Sequence, residues 1–385
     1  MSDAITPFRV EVPDTVLTDL RERLARTRFP DQIAGAGWDY GSELSSIREL
    51  VAYWRERFEW RPQEALLNDF PHFTTPIDAH RVHFIHARSP HANAFPLIVT
   101  HGWPGSVFEF HKILGPLTDP PAHGGDAADA FHVVFPSIPG YGWSEAPRTR
   151  GWDVRRMAAV NAALMARLGY ARYGAQGGDW GALISTHNAL VDRAHCAAIH
   201  LNMVVALPPA GAADPTAGLT PEELADLGDL GRFQAEETGY QQIQGTKPQT
   251  LGYGLNDSPA GLAAWIVEKF RTWSDCGGDV ERRFTKDELL TNVMIYWTTQ
   301  SITSSTRLYY ETMKAGRFKP IEERVEQPTG CAIFPGELFR PPRAWAERVY
   351  NVQRWTRMPS GGHFAALEEP ERLVDDVRTF FRQVR

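Results

Sequence analysis

Cysteine is scarce in this chain. Its 385 residues hold three, Cys196, Cys276 and Cys331, far apart and without a C-x-x-C pair. That number and spacing exclude a disulfide framework and a cysteine zinc site, and they fit a reducing compartment. The N-terminal stretch "MSDAITPFRVEVPDTVL" lacks the apolar h-region of a signal peptide and a run of about 18 apolar residues for a membrane span. A cytoplasmic protein without a membrane anchor is expected. Charge of one sign is missing as well: 40 Lys and Arg are scattered among 47 Asp and Glu, for a net charge of −7. No basic stripe forms, which excludes nucleic acid as a partner. There is no internal repeat, and low complexity is confined to "TDPPAHGGDAADA" and "ALPPAGAADPTAG".

Core material is abundant. Hydrophobic residues make up 43% and charged ones 23%, with 12 Trp and 20 Phe, a composition of folded globular proteins. The length suits two domains, or one core carrying insertions.

Leu17, Leu20 and Leu24 share one side of a helix predicted around Asp14 to Ala25, and Leu44, Ile47, Val51, Trp54 and Phe58 mark a second, from about 43 to 59. "HFTTPIDAHRVHFIHAR" alternates around Val82 and Phe84 and reads as a strand pair. Residues 1–90 are thus expected to form a helical arm leading into a sheet. Buried-strand candidates follow, "PLIVT", "FHVVFPSIPG", "ARYGAQ" and "AIHLNM", and the rhythm resumes at "CAIFPGEL" and "NVQRWTRMPSGGHF". Apolar runs interleaved with helical segments predict βαβ units and a mostly parallel sheet, the α/β class, over 91–205 and 326–385. Residues 206–325 carry helical patterns only, one helix starting at Ser258 with Pro259 in its first position. A helical insertion of this kind is expected to cap the sheet's C-terminal edge, where open α/β folds place their sites.

In "GAQGGDWGAL", Gly177, Asp179 and Gly181 have the spacing of a nucleophile elbow, a strained strand-to-helix turn that exposes one side chain above the sheet. Serine is the usual occupant and needs a base to deprotonate it. A carboxylate, with a reference pKa of ~3.9, is ionised already. Its attack on an ester would give an anhydride that easily reverts, whereas attack on a strained or activated saturated carbon gives a stable alkyl ester. The electrophile is therefore expected to be sp³ carbon, as in an epoxide or alkyl halide.

Hydrolysis of that ester calls for a water activated by histidine with an orienting acid. His363 in "PSGGHFAALEEP" follows the last predicted strand, and Glu337 in "FPGEL" follows the strand before. The order nucleophile, acid, histidine is that of α/β-hydrolases. The alternative position for the acid, after "AIHLNM", offers Asn202 and no carboxylate. "HGWPGS" follows the first strong buried strand, where these folds draw one backbone N–H of an oxyanion hole. The residue after the nucleophile supplies the other. Here those are Trp103 and Trp180.

These motifs, with "RFPDQ", "WDYG", "FPSIPGYGWS", "GYQQIQGTKPQTLGYGLNDSPAGLAAWIVEKF" and "YWTTQSITSSTRLYYE", span nearly the whole chain. Together they resemble the epoxide hydrolases of the α/β-hydrolase fold, most closely the microsomal and juvenile-hormone type with its N-terminal meander. The resemblance implies a small-molecule epoxide and water as substrates, a vicinal diol as product, an ester on Asp179 as intermediate, and no metal or organic cofactor. It implies two cap tyrosines as proton donors to the opening epoxide and assigns them to Tyr240 and Tyr309. Helical period alone does not separate Tyr309 from Tyr310. Microsomal relatives begin with a membrane anchor and this chain begins at the meander, so a soluble, bacterial-type member is expected, a homodimer being left open. Such enzymes act in detoxification, catabolism and natural-product biosynthesis. A haloalkane dehalogenase shares the Asp nucleophile but has no use for paired phenols, and a silent ligand-binding relative needs none of these groups in register.

Overall fold

Nine strands form among the described residues: β1 (Thr6–Phe8), β2 (His72–Ile77), β3 (His80–Ala87), β4 (Phe95–Thr100), β5 (Phe131–Pro136), β6 (Tyr173–Gly177), β7 (Cys196–Leu201), β8 (Val325–Ile333) and β9 (Tyr350–Arg357). The computed structural model describes residues 4–209, 211–318 and 321–385. The first three residues of the N-terminal stretch, and residues 210, 319 and 320 of the expected helical insertion, lie outside the described residues. All nine strands join one sheet in the order β1-β2-β3-β5-β4-β6-β7-β8-β9. From β5 to β9 the neighbours are parallel, while β1, β2 and β3 add an antiparallel edge.

Strands β4 to β7 are buried almost throughout, as expected where helices cover both faces of a parallel sheet. Side chains alternate between the two faces. Thus Val99, Val133 and Phe135 enter one hydrophobic cluster, and Ile98 and Val134 enter the other.

Between β7 and β8 the described residues form helices only: Pro221–Glu236, Gly239–Thr246, Pro248–Leu255, Pro259–Trp273, Lys286–Thr299 and Ile302–Lys314, besides a single 3₁₀ turn. Local chemistry starts several of them. Thr220 and Thr285 each make a capping box with the glutamate three residues on, and Ser258 accepts the Gly261 amide at 3.0 Å ahead of Pro259. No helix among the described residues is long and apolar enough to cross a membrane.

The arm departs from the sequence expectation in two places. The helix expected from 43 to 59 spans Leu44–Glu56, and a further helix not expected from the sequence, Trp60–Asn68, follows it. The amides of Arg57 and Phe58 both turn back to the Tyr53 carbonyl, closing the first helix so that Trp60 can bury its ring and donate to Glu64 at 3.0 Å. The three-residue β1 is also unexpected, because only its pairing with β2 holds it in place. The arm rests on the inserted helices through Ser42 Oγ to the Ala264 carbonyl (2.8 Å) and Tyr53 to Asp287 (2.8 Å).

Candidate active site

The parallel strands end on one edge, and the residues chosen by motif follow those ends. Gly177 closes β6 and Asp179 opens the helix Asp179–Val191 with φ +49°. This left-handed conformation costs a non-glycine residue on the order of 1 kcal/mol. The flanking glycines are needed for room: a Cβ on Gly177 would stand 2.2 Å from the Gly181 carbonyl carbon, and one on Gly181 would stand 1.8 Å from the Thr100 oxygen.

After β4, the loop from His101 crosses a cis Trp103–Pro104 bond. Burial pushes His101 down to about 4. The neutral ring donates from Nδ1 to the Gly102 carbonyl (2.9 Å) and accepts the Ile138 amide at Nε2 (3.2 Å), which straps the loop to the sheet. The Trp103 amide is left pointing at Asp179, donating to Oδ1 at 2.7 Å. Trp180 is the second residue of its helix, within the first turn, whose amides have no intrahelical partner.

The other carboxylate oxygen, Oδ2, lies 3.3 Å from Nε2 of His363, and Nδ1 of His363 is 2.8 Å from Oε1 of Glu337. Both His363 and Glu337 are buried. Their loops are stitched together and to the inserted helices: the Gly336 amide donates to the Gly361 carbonyl at 3.0 Å, and the His363 amide to the Trp273 carbonyl at 2.9 Å. Burial alone would lower the basicity of His363, but Glu337 and Asp179 outweigh it and hold its pKa well above the ordinary value. Asn202 accepts from Gln176 at 2.8 Å.

Tyr240 and Tyr309 hang from the inserted helices over Asp179. All three line a cavity of about 330 Å³ whose other walls include Leu183, Met203, Phe233 and Phe339. The Tyr240 ring stacks on Trp103 (centroids 5.4 Å apart), and the Tyr309 ring meets the edge of Trp180 at 4.6 Å. Burial, reinforced by Asp179, raises the pKa of Tyr240. Burial, reinforced by Tyr240 and Asp179, holds Tyr309 well above the ordinary phenol value. Both remain O–H donors. Tyr309 is 2% exposed, whereas Tyr310 is half-buried beneath Lys314, with 5.6 Å from the ammonium to the ring centroid. The neighbouring helix Gly239–Thr246 packs against Ile302–Lys314 and selects the face that carries Tyr309.

Glu109 is not among the residues that motif logic selects, although a lone carboxylate inside the apolar run "VFEF" marks it. It sits on the 3₁₀ turn Val107–Phe110 and lines a small second cavity with Asp179 and His363.

Comparison with known proteins identifies the family and the fold. Residues 5–110 match the family described as "Epoxide hydrolase N terminus", and residues 96–303 match "alpha/beta hydrolase fold". A Stigmatella aurantiaca protein bearing an epoxide hydrolase name is 47% identical over 99% of this chain and 86% of its own length. Epoxide hydrolase 1 of Oryctolagus cuniculus is 40% identical over 98% of this chain and 89% of its own. The crystal structure of juvenile hormone epoxide hydrolase from the silkworm Bombyx mori superposes with a TM-score of 0.93 at 35% identity, covering 100% of this chain and 95% of that one. The chain belongs to the epoxide hydrolases of the α/β-hydrolase fold.

Proposed function

We propose that the protein opens an apolar epoxide in two steps on Asp179, with Tyr240 and Tyr309 as acids and His363, oriented by Glu337, as the base of the second step. The observation that carries this reading is the division of the Asp179 carboxylate, one oxygen on the Trp103 amide and the other free to face substrate beside His363. Oδ2 attacks a ring carbon, the carbon–oxygen bond of the epoxide breaks, and the oxygen takes a proton from a phenol. A positioned acid of this kind contributes typically about 10²- to 10⁴-fold.

Alkylation removes the charge of Asp179, one of the groups that keep His363 protonated, so the imidazole gives up its proton, one proton returns to the phenolate left by ring opening, and His363 is neutral when a base is required. Water then adds to Cγ of Asp179 and gives its proton to Nε2 of His363. The charge on Oδ1 falls to the Trp103 amide, with the Trp180 amide as the expected second donor. The Cγ–Oδ2 bond breaks, and Oδ2 leaves on the diol with the proton from His363. The lining of the 330 Å³ cavity, mainly apolar side chains, favours a hydrocarbon-like substituent on the epoxide.

A single turnover in ¹⁸O-labelled water with enzyme in excess tests the route. The first diol should carry unlabelled oxygen from Asp179, and the label should be found on Asp179. Label in that first diol would mean direct attack by water, and the nucleophile assignment would fail.

A further inference from the structure

The two-step reading requires a water beside the Asp179 ester and does not say what holds it. Behind Asp179, on the side of the "HGWPGS" loop, lies a cavity of about 20 Å³ lined by Glu109, His363, Trp103, Gln176 and Asn202. A space of that size accepts one water molecule when polar groups surround it. We propose that this cavity seats the hydrolytic water and that Glu109 positions it for attack on the ester.

The fold makes a place for this carboxyl. Ser106 caps the 3₁₀ turn by accepting the Phe108 amide at 3.2 Å, Phe108 and Phe110 are buried, and Glu109 projects back over Gly105. A Cβ on Gly105 would fall 1.3 Å from Oε1 of Glu109, so the carboxyl occupies space that any other residue at 105 would fill. Desolvation, with Asp179 adding to it, raises Glu109 to about 8, against the pull of His363 and the Ser106 backbone. The raised value favours the carboxylic acid form, whose carbonyl oxygen accepts a hydrogen bond without placing a second negative charge beside Asp179. A water in the cavity can then donate one hydrogen to Nε2 of His363 and the other to Glu109, which turns its lone pair toward Cγ. The proton that leaves goes to His363, and Glu109 gains and loses none.

The inference rests on the two-step reading, and the experiment separates the two. Ester formation and ester hydrolysis are timed individually by rapid quench and intact mass spectrometry. Glu109→Ala should form the Asp179 ester within a few-fold of the unsubstituted rate and hydrolyse it about 10²-fold more slowly, the size of loss that a misplaced reactant brings. Glu109→Gln keeps a carbonyl oxygen in place and should recover hydrolysis to within about 10-fold of normal. If Glu109→Ala does not fold, Gly105→Ala displaces the carboxyl while retaining it and should give the same selective loss. Equal slowing of both steps, normal hydrolysis in Glu109→Ala or Gly105→Ala, or a Gln variant as slow as Ala overturns the role of Glu109. His363→Gln is run alongside. An ester trapped on Asp179 in that variant upholds the two-step reading whatever Glu109 does, and its absence overturns that reading together with the inference.

Discussion

Tyr240 and Tyr309 are buried phenols above a carboxylate, and their surroundings determine what they can donate. Each pKa lies above the ordinary value because burial and the nearby Asp179 both oppose a phenolate. The pair should therefore stay protonated beyond the usual phenol range near ~10. Tyr240→Phe and Tyr309→Phe are each expected to slow ester formation, and the double variant to lose about 10²-fold or more, while Tyr310→Phe changes little because its ring faces Lys314. Stopped-flow measurement of the alkylation step checks both points. A double variant that alkylates at the normal rate would remove the phenols from the mechanism, and a loss of rate through pH 8 to 10 following phenol ionisation would contradict the raised values.

At the scale of elements, the contact to watch is between the helix Pro221–Glu236, the loop after β8 and the end of β9. Asp226 on that helix accepts from Arg340 at 2.7 Å and from Arg357 at 2.9 Å, and Arg340 also donates to the carbonyl of Glu337 at 2.6 Å. Asp226 and Arg340 are both buried, and removing Asp226 leaves Arg340 with Asp229 as its remaining carboxylate partner and Arg357 with the exposed Glu222. Losing the buried charge-assisted hydrogen bonds of one carboxylate costs about 2 kcal/mol. Asp226→Ala should lower stability by that order in urea unfolding and slow ester hydrolysis more than ester formation, since the loop that relaxes is the one carrying Glu337. A variant with normal stability and normal kinetics would show that the helix and the acid loop are independent.

Over the whole molecule, histidines set the response to acid. Burial lowers His83 well below its ordinary value and brings His86, His101 and His187 down to about 4. Each is neutral in the fold but takes a proton in the unfolded chain below ~6.5, so stability rises with pH across that interval and is lost as pH falls through it. For His101 alone the difference is worth about 3 kcal/mol. His363 acts in the opposite sense, its raised value giving stability that is present below ~6.5 and lost as pH rises through its folded value, and the raised carboxyls of Glu109 and Glu368 act in the same direction as His363. The lowered histidines, which also include His72, His111 and His132, outnumber these groups. The thermal midpoint is expected to fall steadily from pH 7 to pH 5, before most carboxylates titrate. A midpoint that stays level down to pH 4.5 would mean that these rings are accessible to protons in the folded state.

What the sequence determined by itself was order and local chemistry. The elbow glycines, the short motifs that carry Asp179, Glu337 and His363, the strand rhythm and the Ser258 helix start all follow from short-range rules, and they are legible because the residues within each motif are neighbours in the chain. Three things depended on the tertiary structure. Tyr309 faces the cavity and Tyr310 does not because a helix from another part of the chain packs on one side, which periodicity cannot register. The helix expected from 43 to 59 stops at Glu56 and a second helix starts at Trp60, whose ring is drawn into the core, a gain that appears only when the core exists. Glu109 meets Asp179 and His363 across long stretches of chain, and nothing in the run "VFEF" records that meeting. Local interactions are written in consecutive residues, whereas contacts between distant segments exist only once the sheet has gathered its loops on one edge.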